Sequence, residues 1–260
     1  MTPDAGKVHL SIDAGVARVM FDRPQARNAM TWHMYTELES ICKELSQKPG
    51  LRVVQFRGAG GEAFVAGTDI EQFKAFRTAQ DALDYEARIS EVMGALEALP
   101  MPTVAVLEGW AVGGGLAIAT ACDFRIARSG TRLGVPIAKT LGNCLAMANL
   151  ARLERAFGHQ RVKRMLLLAQ FVDADEALAC GYLEQVCEAS DIDAAAHALC
   201  ERLSALAPVT QSAMKAGLQR LVTAQLPDGD DLVVRCYTSD DFHEGVRAFV
   251  EKRPPQWQGR

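Results

Sequence analysis

The sequence lacks a metal-ligand signature. Its seven cysteines, at positions 42, 122, 144, 180, 187, 200 and 236, form no CxxC pair and no ligand cluster with histidine. Reduced, mostly buried thiols are the expectation, which argues against a zinc module or a disulfide scaffold and for a cytoplasmic location. A basic excess is missing as well. Lysine and arginine number 28 against 32 acids, for a net charge of −4, so the electrostatic footprint of a dedicated nucleic-acid binder is absent. No apolar run reaches the length of a membrane span, and the first seven residues have neither the apolar core of a secretory signal nor the arginine content of a transit peptide. The glycines do not follow dinucleotide-fingerprint spacing, and no Gly-Lys-Ser/Thr ending completes a P-loop.

What the chain does have is enough apolar content, 49% over 260 residues, for one sizeable core with or without a small appendage. Val16–Phe21, Val53–Arg57, Ala63–Val65, Thr103–Leu107 and Asp123–Ala127 read as strands. A helix-compatible stretch, Trp32–Leu45, follows the Arg23-Pro24 turn and is closed by Pro49-Gly50. This alternation is an α/β pattern. Beyond Asn143 the periods turn helical, over 145–157, 160–169, 174–180, 192–206, 209–222 and 231–249, with no internal repeat of solenoid length.

Two junctions stand out, Ala66-Gly67-Thr68-Asp69-Ile70 and Gly113-Gly114-Gly115-Leu116-Ala117, because each joins a strand-like run to a helix-like run. Backbone N–H groups left unpaired at two such turns can converge on one developing oxyanion, with the helix dipole behind the glycines favouring negative charge. Such an arrangement suits chemistry on a carbonyl, in particular a thioester. Three glycines in a row, taken by themselves, read as tight packing of a helix against a sheet.

The surrounding residues resemble the enoyl-CoA hydratase/isomerase (crotonase) superfamily. The resemblance is carried in order by Asp22-Arg-Pro-Gln-Ala-Arg-Asn-Ala-Met30, Glu62-Ala-Phe-Val-Ala-Gly-Thr-Asp-Ile70, Gly109-Trp-Ala-Val-Gly-Gly-Gly115, Ala121-Cys-Asp-Phe-Arg-Ile-Ala127 and Glu244-Gly-Val-Arg-Ala-Phe-Val-Glu-Lys-Arg253. It implies a superhelix of repeated ββα turns, with an acyl-CoA-binding core over 1–200 and a helical oligomerisation region over 201–260. It also implies acyl-CoA thioester substrates, coenzyme A as part of the substrate with no separate cofactor and no metal, and a homotrimer or dimer of trimers. Nucleic acid and membrane are not expected partners; the lysine-rich helix of RNA-binding relatives is not matched over 31–48, which holds only Lys43 and Lys48 beside several acids.

Carried across residue by residue, the resemblance assigns the oxyanion-hole N–H groups to Ala66 and Gly114. It places substrate or CoA contacts at Arg27, Ala66, Gly67, Thr68, Asp69, Ile70, Gly114, Ala117, Ile137 and Lys252, with Arg253 as an alternative cation to Lys252. The two glutamates that position water and move protons in hydratases fall at Ala117 and, in Leu133-Gly-Val-Pro-Ile137, at Ile137. Neither side chain can transfer a proton. The following link, Ala138–Cys144, is one residue longer than usual and offers Lys139, Thr140, Asn143 and Cys144, with Asn149 beyond it, as replacements; Thr68 is a further candidate, either holding substrate or capping a helix. Asp69 reads as a possible acid or as a first-turn carboxylate. Two readings of function remain: a CoA-thioester enzyme that isomerises, decarboxylates or cleaves C–C bonds rather than driving hydration with glutamates, and an acyl-CoA-binding pseudoenzyme or assembly subunit.

Overall fold

The computed structural model describes residues 5–223 and 226–259. Its strands are β1 (Lys7–Asp13), β2 (Val16–Asp22), β3 (Val53–Gly58), β4 (Ala63–Val65), β5 (Thr103–Leu107), β6 (Trp110–Val112), β7 (Phe124–Arg128), β8 (Arg132–Gly134), β9 (Val172–Asp173) and β10 (Gln185–Cys187). Helices α1 (Trp32–Ser46), α2 (Ala79–Glu97) and α3 (Gly114–Ala121) interleave with them. They are followed by α4 (Ile137–Thr140), α5 (Met147–Phe157), α6 (His159–Leu167), α7 (Ala174–Ala179), α8 (Ile192–Ser204), α9 (Pro208–Thr223), α10 (Asp230–Tyr237) and α11 (Asp240–Val250).

Three successive strand pairs, β3–β4, β5–β6 and β7–β8, each give their first strand to a six-stranded sheet ordered β1-β2-β3-β5-β7-β10 and their second to a four-stranded sheet ordered β4-β6-β8-β9. Pairing is parallel from β2 through β10 in the first sheet and from β4 through β8 in the second. This is the repeated ββα arrangement of the crotonase fold. Parallel pairing explains why β5 continues as the apolar run Val104–Leu107 after Thr103: the strand is buried at every position.

Each repeat turns from its second strand toward a helix, and the turns stack. Gly115 sits so close to Val65 that a Cβ would collide with the Val65 carbonyl, so the start of α3 lies directly on the end of β4. The first repeat departs from expectation: the segment after Ile70 is a 3₁₀ turn, Ile70–Ala75, capped by Asp69. The α-helix begins only at the Thr78 capping box, where Thr78 and Asp81 exchange hydrogen bonds.

Two further differences concern the C-terminal part. The helix expected over 231–249 is two helices, because the Ser239 hydroxyl accepts from Phe242 N at 3.0 Å and opens α11 afresh. The boundary expected between residues 200 and 201 falls inside α8. Helices α10 and α11 share a hydrophobic cluster with the 3₁₀ turn and α2 through Phe73, Ala82, Val233, Tyr237, Phe242 and Val246, so they are packed onto the first turn. Among the described residues no helix is long and apolar enough to cross a membrane.

Candidate active site

Asn28 sets the first turn. Fully buried, it accepts from Arg23 N at 2.9 Å and donates to the carbonyls of Ala59 and Ala63 at 2.9 and 2.8 Å, fastening residues 23–30 to the β3–β4 connection. Residues 27–30 then run beside 66–69: Ala66 N donates to Arg27 O at 3.0 Å, Met30 N to Gly67 O at 2.8 Å and Asp69 N to Met30 O at 2.9 Å. The last two bonds form a parallel bridge between Met30 and Thr68. In such a bridge the flanking residues bond and the central residue's own N–H faces away.

This corrects the assignment of Ala66 as an oxyanion donor, because its N–H is already spent on Arg27. The Thr68 N–H, which faces away from that bridge, has no hydrogen-bond partner among the described residues.

The second turn supplies the counterpart. Gly113, at φ 52°, donates its N–H to Gly134 O at 2.9 Å and accepts from Ala117 N at 3.0 Å, which begins α3. Gly114 is the first helical residue, and its N–H likewise has no partner among the described residues. A Cβ built on Gly114 would lie 3.7 Å from Thr68 N and 3.0 Å from Thr68 Oγ1, and would collide with the Tyr35 hydroxyl. The two unspent N–H groups therefore border one small space, with the positive end of α3 directed at it.

Three hydroxyls surround that space. Tyr35 OH and Thr68 Oγ1 are 2.8 Å apart, and Tyr85 OH lies 3.3 Å from the same Oγ1. Thr68 is thus no helix cap; Asp69 fills that role by accepting from Glu71 N at 3.1 Å, and it is held further by Arg23 Nη1 at 2.7 Å. Burial pushes both phenols above their ordinary values, so near neutral pH they carry protons and are able to donate.

The replacement candidates of the longer link lie elsewhere. Asn143 donates to Tyr237 OH at 3.1 Å, and that hydroxyl donates to Glu86 Oε1 at 2.7 Å. Glu86 Oε2 accepts from Ala146 N at 2.9 Å, and burial raises the carboxyl. Cys144 donates to Leu232 O at 3.5 Å; its hydrogen bond with Cys236, then burial, push the thiol up, which opposes a nucleophilic thiolate. Thr140 Oγ1 turns back to Pro136 O at 3.0 Å, and Lys139 is exposed. Asn149 is buried, in a cluster with Arg152 and Glu97.

Ala117 and Ile137, where hydratases carry glutamates by the resemblance, are half-buried against the main core. Ile70 packs in the aromatic cluster under α11. Of the cations, Arg27 and Lys252 are exposed, whereas Arg253 is captured by Glu244 at 2.6 and 3.0 Å. A cleft bordered by Gly113, Ala117, Asn149 and Arg152 adjoins the paired turns. Two larger hollows, one beside Pro102 and Pro208 and one beside Arg18 and Arg57, contain no residue of either turn.

Comparison with known proteins agrees with this fold. The enoyl-CoA hydratase/isomerase family model matches residues 11–260. The chain is 31% identical to a short-chain-enoyl-CoA hydratase of Clostridium acetobutylicum over 254 residues, covering 96% of this chain and 97% of that one. Among solved structures, an enoyl-CoA hydratase/carnitine racemase from Magnetospirillum magneticum superposes with a TM-score of 0.80 at 32% identity, over 100% of this chain and 97% of that one. A methylmalonyl-CoA decarboxylase complexed with 2-nitronate-propionyl-CoA superposes with a TM-score of 0.89 at 25% identity, over 97% and 98%. With motifs, repeated ββα turns and full-length similarity in agreement, the chain belongs to the enoyl-CoA hydratase/isomerase family.

Proposed function

We propose that the protein binds an acyl-CoA thioester with its carbonyl oxygen between the N–H groups of Thr68 and Gly114 and stabilises an enolate there. The observation that carries this reading is the pair of unpartnered N–H groups bordering one space, 3.7 Å from Thr68 N to the position a Gly114 Cβ would take. Negative charge builds on the thioester oxygen as the enolate forms, and fixed donors at the α3 N-terminus stabilise that charge without reorganising. Coenzyme A enters as part of the substrate, with no separate cofactor, and the exposed Arg27 and Lys252 are the cations available to its phosphates.

The groups nearest the donors favour a route to the enolate that does not start with proton abstraction. Ala117 and Ile137 hold no proton, and the phenols of Tyr35 and Tyr85 are kept protonated by burial. Breaking a C–C bond, as in decarboxylation, leaves the electron pair on the α carbon directly, and a neighbouring phenol can then protonate it. Isomerisation is the alternative within the same scaffold.

The same absence of a ready base supports a second reading, an acyl-CoA-binding pseudoenzyme. Oligomerisation fits the exposed apolar side chains of Val209, Met214, Leu218 and Leu221 on α9, and a trimer is the assembly we propose; light scattering at micromolar concentration tests it.

Incubation with saturated, enoyl- and malonyl-type CoA thioesters, followed by mass spectrometry and chromatography, tests the reading. Loss of CO₂, C–C cleavage or isomerisation supports the enzyme. Binding without conversion selects the pseudoenzyme, and rapid gain of water contradicts the argument from Ala117 and Ile137.

A further inference from the structure

We infer that the cleft beside Gly114 receives an oxygen atom carried on the β carbon of the acyl group, with Asn149 Nδ2 donating a hydrogen bond to it. The inference rests on the CoA-thioester reading above and narrows its substrate class.

Asn149 is 4% exposed, and its amide nitrogen makes no hydrogen bond among the described residues. That nitrogen keeps some accessible surface at the wall of the cleft, where a ligand or water atom can accept from it. The amide cannot turn round to hide that donor. Arg152 Nη1 donates to Asn149 Oδ1 at 2.9 Å, and Arg152 is itself clamped by both oxygens of Glu97, at 2.7 and 2.8 Å. Flipping the amide would set N–H against N–H. The donor is therefore oriented by a locked ion pair, of which Arg152 itself also borders the cleft.

Its position relates it to the thioester. Asn149 lines the cleft with Gly113 and Ala117, which flank the Gly114 donor, so the cleft opens beside the first carbons of a chain whose carbonyl is held there. Alanine at 117 leaves open the space that an acidic side chain would fill. Val135, Leu145 and Leu153 form apolar walls, and the Thr120 hydroxyl is occupied by Leu116 O at 2.7 Å and Tyr182 OH at 3.1 Å. With the Arg152 charge balanced by Glu97, the cleft selects a hydrogen-bond acceptor rather than a net charge. A malonyl-type carboxylate, a 3-hydroxyl and a 3-oxo group all place such an oxygen on the β carbon.

Calorimetric titration of the full-length protein with butyryl-, 3-hydroxybutyryl-, acetoacetyl- and malonyl-CoA tests this, using wild type, Asn149→Leu and Ala117→Leu. At least one oxygen-bearing thioester should bind about 3- to 10-fold more tightly than butyryl-CoA, the range of one neutral hydrogen bond. Strongest binding by malonyl-CoA identifies a carboxylate as the source, and strongest binding by the other two a neutral oxygen. The preference should fall to within about twofold in either variant; Ala117→Leu fills the cleft while keeping the Asn149, Arg152 and Glu97 side chains, so it serves even where Asn149→Leu does not fold. Equal affinity for all four in the wild type, the result if only water occupies the amide, or a preference that survives both substitutions, overturns the inference. Failure of all four to bind would instead remove the CoA-thioester reading beneath it.

Discussion

A single methyl group at Gly114 should separate binding of the CoA portion from stabilisation of the enolate. The backbone there is outside the left-handed region, so alanine brings no φ strain and its effect comes from the methyl itself. That methyl would collide with the Tyr35 hydroxyl and stand 3.0 Å from Thr68 Oγ1 and 3.7 Å from Thr68 N, inside the space between the two donors. Displacing the Tyr35–Thr68 hydrogen bond in a buried setting costs about 1–3 kcal/mol of stability. Misplacing one oxyanion donor costs about 2.7–4 kcal/mol of transition-state stabilisation, or about 10²–10³ in rate. Because the reaction need not be known, the assay compares affinity for a neutral saturated acyl-CoA with affinity for a nitronate-bearing acyl-CoA, whose charged oxygens mimic an enolate. Gly114→Ala should weaken nitronate binding by about 10²-fold or more while changing the saturated thioester by less than about tenfold, with folding checked by circular dichroism. Equal weakening of both ligands, or of neither, would refute the assignment of Gly114.

Tyr35→Phe should destabilise the protein by about 1–2 kcal/mol in urea unfolding, since Thr68 Oγ1 would keep only the 3.3 Å contact with Tyr85. For Glu86, burial raises the carboxyl in the folded state, so its stabilisation is complete below the ordinary value of 4.5 and is lost as pH rises through the folded value. Glu86→Gln, which does not ionise, should therefore gain stability relative to wild type between about pH 4 and about pH 7, and an unchanged difference would contradict the burial argument. At Glu244 the sign reverses: Arg253, then Arg247, hold the carboxyl well below the usual range, so its contribution is present above 4.5 and disappears as pH falls through the folded value. Glu244→Gln should speed limited proteolysis within residues 251–259, which Arg253 and Gln256 tie to this carboxylate. Finally, Ala117→Glu with Ile137→Glu should confer measurable hydration of a short enoyl-CoA; a folded, CoA-binding double variant that stays inert would mean the longer Ala138–Cys144 link has moved that wall.

Features set by local sequence were legible before the structure. The strands β2 and β5, the helix-compatible stretch that became α1 and the glycines at both turns each follow from nearest neighbours or from one period. What escaped depended on distant partners. Ala66 and Thr68 differ as donors only because the Arg27 carbonyl lands on one and not the other, through an Asn28 clamp whose acceptors lie more than thirty residues away. The phenols of Tyr35 and Tyr85 come from α1 and α2, and no spacing in the chain announces that they meet at Thr68. Asn149 was visible as a polar residue in a helical segment, but its locked orientation needs Glu97, on α2, to position Arg152. The break at Ser239 had a local signal, a serine followed by two acids, which the continuous helical period outweighed.

The central claim is that Thr68 and Gly114, and not Ala66, hold the thioester oxygen. A crystal structure of the protein with a non-hydrolysable acyl-CoA thioester analogue tests it most directly. The expected result is a carbonyl oxygen about 2.7–3.1 Å from both the Thr68 and Gly114 nitrogens, with the Ala66–Arg27 bond intact. An oxygen bound to Ala66 N after loss of that bond, or seated away from both turns, would contradict it.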